Sequence, residues 1–274
     1  MLLGVLAGCV PPPERPEGST TTGVNATTCP AAAGEGTCAD QDVLRPPCCG
    51  AEPEPAGEPS SPTGDHLAKA AVPPVGKLAP IPLDLPAPAF RGTPVPIAEP
   101  NVEKPRGKPR PPFLAPEGTT NLALGKPVAA SDPAPVSGEL DLVTDGDKEA
   151  SDFGFLALHP GPQWVQIDLG QRAAIYAIVV WHNHAEARVY RDVIVLVSDD
   201  PDFLSAVTVY NNDYDNSTGL GIGSDKGYVE TSEGRLIDCK GVEGRYVRLY
   251  SNGNHIDDKN HYTEVEVYGL PAGS

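Results

Sequence analysis

Proline and aromatic residues divide this chain in two. Of its 32 prolines, 25 precede residue 119, whereas Phe90 and Phe113 are the only aromatic side chains before Gly118. A segment with so few large apolar groups buries too little surface to offset the entropy of ordering it. Pro11-Pro12-Pro13, the run Glu52–Pro59 and Pro73-Pro74 favour extended polyproline II. Residues 10–118 are therefore expected to be a long disordered, Pro-rich tether, with its basic stretch Lys104–Arg110 a solvated spacer, and the remainder to hold the core.

Past Asn121 the pattern becomes that of short strands. In Gln163–Gly170, Val165, Ile167 and Leu169 alternate with Gln166 and Asp168. Ile175–Trp181 and Asp192–Ser198 are apolar on both faces, as strands in the middle of a packed sandwich are. Val207–Tyr210 and Tyr228–Glu230 read as shorter strands. Near the end, Val247 and Leu249 oppose Tyr246, Arg248 and Tyr250, and Val265 and Val267 alternate with Glu264 and Glu266. Gly, Asn, Asp and Pro separate these runs and no amphipathic helix is visible. The pattern predicts an all-β fold, an antiparallel β-sandwich or jelly roll. A last strand that sets carboxylates beside a buried face also predicts an acidic corner, where a metal ion is to be sought.

The chain carries a net charge of -17, and residues 119–274 contain 24 acidic against 11 basic residues. No basic stripe exists to displace the counterions of nucleic acid or to hold anionic headgroups, so both are excluded as partners. Cys29, Cys38, Cys48 and Cys49 cluster within 29–49 without the spacing of a zinc knuckle, and two local disulfides are expected there. Cys239 stands alone and is expected to be a buried small hydrophobe. Asn211–Gly219 is acidic but lacks the Gly and Glu positions of an EF-hand, so it reads as a solvated hairpin loop.

Six blocks in order carry a resemblance: Asn121–Ser131, Leu142–Asp147, Gln163–Gly170, Tyr190–Phe203, Arg245–Ser251 and Asn260–Gly269. Together they resemble a discoidin-type domain, the coagulation factor 5/8 C-terminal type, similar to galactose-binding-like carbohydrate modules. The resemblance spans 119–270 and implies that fold. It also implies a structural calcium ion that pins the loop after the first strand to the last strand. The matching positions are Asp145 and Glu264, with oxygens from Leu142, Asp147, Ser151 and Thr263. Calcium takes six to eight oxygens, many of which can be carbonyls. Separately, Leu6-Ala7-Gly8-Cys9 resembles the lipobox of bacterial lipoproteins, although the apolar stretch before it is short and carries no Lys or Arg. It implies a signal over 1–9, lipidation at Cys9, and a place in the cell envelope, on the outer membrane or cell surface, or secretion. Membrane contact would be through that anchor alone.

The loop leaving the strand at Trp181 concentrates functional side chains. His182, His184, Arg188 and Tyr190 can exchange hydrogen bonds with sugar hydroxyls, and Trp181 or Tyr190 can offer an apolar face to a ring. Asn254 and His255 join them from the loop before the last strand; Asn252, Phe153, Phe155 and His159 are weaker candidates. Core packing for Trp181, a hydrogen-bonded loop for both histidines, and a transition-metal site of His182, His184 and Glu186 are the competing readings. No nucleophile–base pair is visible, so no enzyme is expected. The leading expectation is a lipid-anchored, non-catalytic binding protein that takes carbohydrate on its loops. The alternative is a protein–protein adhesion or scaffolding module. A sugar site should be a concave pocket with one exposed aromatic and converging polar groups. A protein interface should be a broader apolar patch.

Overall fold

A computed structural model describes residues 76–90 and 97–273. In chain order its strands are β1 (Leu78–Pro80), β2 (Leu114–Pro116), β3 (Thr120–Asn121), β4 (Val128–Ala130), β5 (Leu156–Leu158), β6 (Gln163–Trp181), β7 (Ile194–Ser198), β8 (Val207–Asn211), β9 (Arg235–Ser251), β10 (Asn260–Tyr262) and β11 (Glu264–Pro271). A single 3-10 turn, Leu140–Val143, lies between β4 and β5, and no α-helix occurs among the described residues. None of these residues forms a helix long and apolar enough to cross a membrane.

The all-β sandwich expected from alternation is the observed architecture. The main sheet runs β3-β11-β6-β9-β7-β8, with β4 also paired to β6, and every pairing is antiparallel. Sequence patterning resolves β6 as two strands, but it is continuous, with register breaks between Asp168 and Ala173 and between Ile175 and Ala177. Val165 and Ile167 from its first half and Ile178 and Val180 from its second belong to one core, so the strand turns across the sandwich. The first half of β9 pairs with the second half of β6, from Arg235↔Val180 to Gly244↔Ala173. The strand expected at Tyr228–Glu230 does not form. Gly227 makes an isolated bridge to Val102 instead, while Tyr228 and Glu230 turn inward to buried positions.

The expected boundary at 118 is corrected. Residues 76–90 and 97–118 are not a free tether but pack on the sandwich. β1 pairs with β2, and Ile81, Ala115, Leu83 and Phe113 form a second core with Tyr176, Ala177, Val179, Trp181 and Tyr268. The outer face of the sheet is apolar, and burying it offsets the entropy that composition alone suggested would keep the segment open. Lys104–Arg110 is likewise docked: Arg110 donates to the carbonyls of Glu233 (2.7 Å) and Gly234 (3.0 Å). Cys239 is buried and free, as expected. Cys9, the cluster Cys29, Cys38, Cys48 and Cys49, and the part of the expected tether up to residue 75 lie outside the described residues.

Candidate functional site

Burial sorts the expected ligand residues. Trp181 ends β6 with 0% exposure, packs in the second core, and donates its indole N–H to the Ser232 carbonyl (3.0 Å). His182 faces the other side, equally buried; its Nδ1 lies 2.6 Å from Glu230 Oε1 and its ring stacks on Tyr190 at 4.2 Å. His184 is buried with Nε2 on the Lys148 carbonyl (2.9 Å). Arg188 is spent internally, donating to Asp257 (2.9 Å), Asn254 (3.3 Å) and Glu186 (3.2 Å). Asn254 is buried and closes its own turn by accepting from the Ile256 and Asp257 amides. His255, half-buried, accepts from the Val189 amide through Nδ1 (3.0 Å).

These contacts correct the expected set. Both faces of the strand end are covered, so Trp181, His182 and His184 cannot meet an external ligand, and Arg188 and Asn254 brace the loops. His182, His184 and Glu186 do not converge as a metal site: the two histidines bond to different partners, and Glu186 pairs with Arg188. The Tyr190 hydroxyl is held by His261 Nδ1 (2.8 Å), yet Tyr190 still lines a cleft.

That cleft has a volume of about 290 Å³. One wall is the strap of residues 97–110, represented here by Glu99–Val102. Arg191 binds Glu99 (2.9 Å), Lys226 binds Asn101 Oδ1 (2.6 Å), and Val102 bridges Gly227. The Arg191 hydrogen bond holds the Glu99 carboxyl below its ordinary range. The facing wall comes from Asp192, Asn212, Tyr214, Asp215, Ser217 and Asn252. Asp192 sits at φ +53° and accepts from Ser217 Oγ (2.6 Å) and Asn252 Nδ2 (2.8 Å). Burial pushes its carboxyl up against those two donors, and Asp213 and Asp215 add to the push. Tyr214 is 45% exposed and makes no hydrogen bond or ring contact with other described residues. Its loop closes tightly, because Gly223 donates to the Asp213 carbonyl (2.7 Å) where a Cβ would come within 2.2 Å of the Asn211 carbonyl.

Sequence reasoning missed Tyr214, Arg191 and Asp192. Tyr214 lies inside the acidic loop read as a solvated hairpin. The same loop brings carboxylate oxygens of Asp192, Asp213 and Asp215 within 4.8 Å of one another, the one such group of three acidic, His or Cys side chains among the described residues. A cation could be held there, but the carboxylates already have donors. Burial alone would raise Asp213, yet Thr218 and Ser217 outweigh it and keep the carboxyl low.

The expected calcium corner has a different character. Glu264 opens β11 at 0% exposure, its Oε2 accepting from the Gly146 amide (3.2 Å) and its Oε1 buried with no partner. Burial pushes its carboxyl up to about 9, with Glu266 and Asp145 adding to the push. Gly146 reaches Glu264 through a φ of +88°, which favours glycine. Asp145 and Asp147 are exposed and accept amides within their own turn (2.8 and 3.0 Å). Thr263 is buried and its amide is held by the Trp181 carbonyl (2.8 Å). Leu142 is half-buried and Ser151 exposed. A buried, orphaned carboxylate oxygen beside a loop of oxygens fits a cation. The carboxylates of Asp145, Asp147 and Glu264 do not themselves gather within 4.8 Å, so most ligands there would be carbonyl oxygens.

No curated protein matches the chain. Among solved structures, a family 89 glycoside hydrolase from Clostridium perfringens is similar at 18% identity and a TM-score of 0.42, over 56% of this chain but only 15% of the hydrolase. A fucose-binding module from Streptococcus pneumoniae is similar at 21% identity and a TM-score of 0.39, over 54% of this chain and 96% of the module. A chitosan-binding module from a chitosanase/glucanase of Paenibacillus sp. IK-5 gives 24% identity and a TM-score of 0.38, over 54% of this chain and 98% of the module. The model of the F5/8 type C family described as "NedA-like, galactose-binding domain" matches residues 143–249, so that part of the β-sandwich is similar to a galactose-binding domain of this type.

Proposed function

We propose that the chain is a non-catalytic carbohydrate-binding protein whose sugar site is the cleft between the strap and the Tyr214 loop. The observation that carries this reading is a free, half-exposed tyrosine set in a cleft of about 290 Å³ among Arg191, Asp192, Asp215, Ser217 and Asn252. An aromatic face suits the C–H side of a sugar ring, while fixed carboxylates and amides accept from and donate to its hydroxyls. The volume is near the small end for ligand clefts, about 300 Å³, and suits a short saccharide. The galactose-binding family match supports the same ligand class. Tyr190 and His255 belong to the supporting shell.

Calcium, in this reading, is structural. It would sit at Glu264 and the Leu142–Asp147 loop, with Thr263 and Ser151 as further oxygen donors, and tie β11 to the loop without touching the sugar. Lipidation at Cys9 would hold the chain on the cell envelope, raising the effective concentration of a weak site; mass spectrometry of the mature N-terminus tests it. The direct test of sugar binding is a broad glycan array probed with the full chain, with calcium and with chelator. Binding to a related set of uncharged glycans that Tyr214→Ala weakens supports the reading. Silence from folded, calcium-loaded protein rejects it in favour of a protein partner.

A further inference from the structure

The strap lines a second cleft, of about 330 Å³, further along its length. Four cations face it, Arg106, Lys108, Arg110 and Arg235, against two carboxylates, Glu103 and Glu233. This is a concentration of positive charge in a chain of net charge -17. It is also held in place. The Arg235 guanidinium lies over the rings of Tyr210 (5.1 Å) and Tyr228 (4.9 Å), with one nitrogen on Glu103 (2.7 Å). Its Nε is buried without a partner. Arg110 is fixed by two loop carbonyls, and Arg106 reaches Glu233 at 3.3 Å. Lys108 has no ion pair or hydrogen bond among the described residues. Half-buried Phe90 adds an apolar surface to the lining. Burial lowers the Arg110 pKa against the pull of Glu233, and the like charges of Arg106 and Arg235 lower it further. Crowding cations around an open space costs free energy that an anion placed there would relieve.

We infer that this basic cleft binds the carboxylate or sulfate group of an acidic saccharide, at a site separate from the cleft that holds Tyr214. The cleft is small and the surrounding domain strongly acidic, which disfavours a long polyanion such as nucleic acid, whose further charges would meet like charge. One anionic group on a short sugar chain meets the cations and little else. The aliphatic part of Arg235 and the half-buried Phe90 ring supply contact for the ring that carries it.

The test is calorimetric titration of the full chain with three oligosaccharides of equal length: one of uronic acid, one sulfated and one uncharged. Titrations at about 50 and about 200 mM salt bracket the screening range. An acidic probe, uronate or sulfate, should bind about tenfold or more tighter than the uncharged one, with the advantage shrinking at the higher salt. Lys108→Glu, which disturbs no contact in the fold, should remove the advantage, and Tyr214→Ala should leave the affinity for the acidic probe unchanged. Arg106→Gln is the second variant, and unchanged melting temperatures exclude misfolding of either. Equal affinity for acidic and uncharged probes, or an advantage that survives Lys108→Glu, overturns the inference. A chain that binds the uncharged sugar but shows no acidic preference keeps the role of the first cleft and loses only the second.

Discussion

The two clefts share a wall and differ in charge. Glu99–Val102 of the strap borders one and Glu103–Arg110 the other, and the loop on the far side passes from Gly227 to Tyr228 between them. The first presents Glu99, Asp192 and Asp215 against Arg191. The second presents four cations against two carboxylates. One extended segment thus lines two clefts of different charge on a sandwich in which acidic residues outnumber basic ones by 24 to 11. The basic groups come mostly from outside the sandwich, in the part whose composition looks least able to fold. A Pro-rich segment can therefore line a cleft once it finds an apolar sheet face to lie on.

Removing the shared wall should have the largest effect. A chain starting at residue 119 loses Ile81, Leu83, Phe113 and Ala115 from the second core and exposes Tyr176, Val179 and Trp181. At about 1.5–3 kcal/mol for each large apolar side chain, the loss amounts to several kcal/mol. That is a large part of the stability of an ordinary domain. The melting temperature should fall by about 10 °C or more, and both clefts should fail together. Full stability without the strap would break the comparison, since the clefts would then be accidents of a loosely laid segment.

Calcium should act on the sandwich and spare the contrast between clefts. At about a hundredfold excess over its dissociation constant it contributes about 2.7 kcal/mol. Thermal melts should show a rise of several degrees, abolished by chelator and by Glu264→Gln or Asp145→Ala. A melting temperature indifferent to calcium would remove the ion from the account of Glu264.

Tyr214→Ala should weaken the uncharged saccharide about tenfold or more, equivalent to about 1.4 kcal/mol, without moving the melting temperature. Titration of wild type and variant with the same sugar measures it. The smallest effect concerns pH. Glu99 has a depressed carboxyl because Arg191 binds it, so their contact is fully present above the unfolded value of about 4.3. It is lost as pH falls through the lower folded value. The pair is partly exposed, so its contribution is about 0.2–1 kcal/mol. Sugar affinity of the first cleft should drop modestly below about pH 4, and Glu99→Gln should show the weaker affinity at every pH.

Much of the sandwich was legible in the sequence. Alternation at Val165, Ile167 and Leu169 and at Val265 and Val267 predicts β6 and β11 because period two and a buried face are the same fact. The first half of β9 was not legible: Lys240 at φ +54° and Gly241 at φ +78° interrupt the pattern, and its charged residues resemble a loop. The strap was misread because composition is a local property. Ile81 and Phe113 are far apart in sequence and meet only on the sheet. The loop leaving Trp181 reads from its side chains as a ligand loop, but the sequence does not give their orientation. Trp181 and His182 point to opposite sides, as strand geometry requires, and the sequence does not show that both sides are covered. Tyr214 was hidden in a polar loop whose closure depends on Gly223 and on partners many residues away.

The most direct measurement is a structure of the full chain soaked with the tightest-binding uncharged glycan from the array. The expected result is sugar density against the Tyr214 ring, with hydroxyls on Asp192, Asp215 or Asn252. Density on any other loop surface, with the Tyr214 cleft empty, would contradict the assignment.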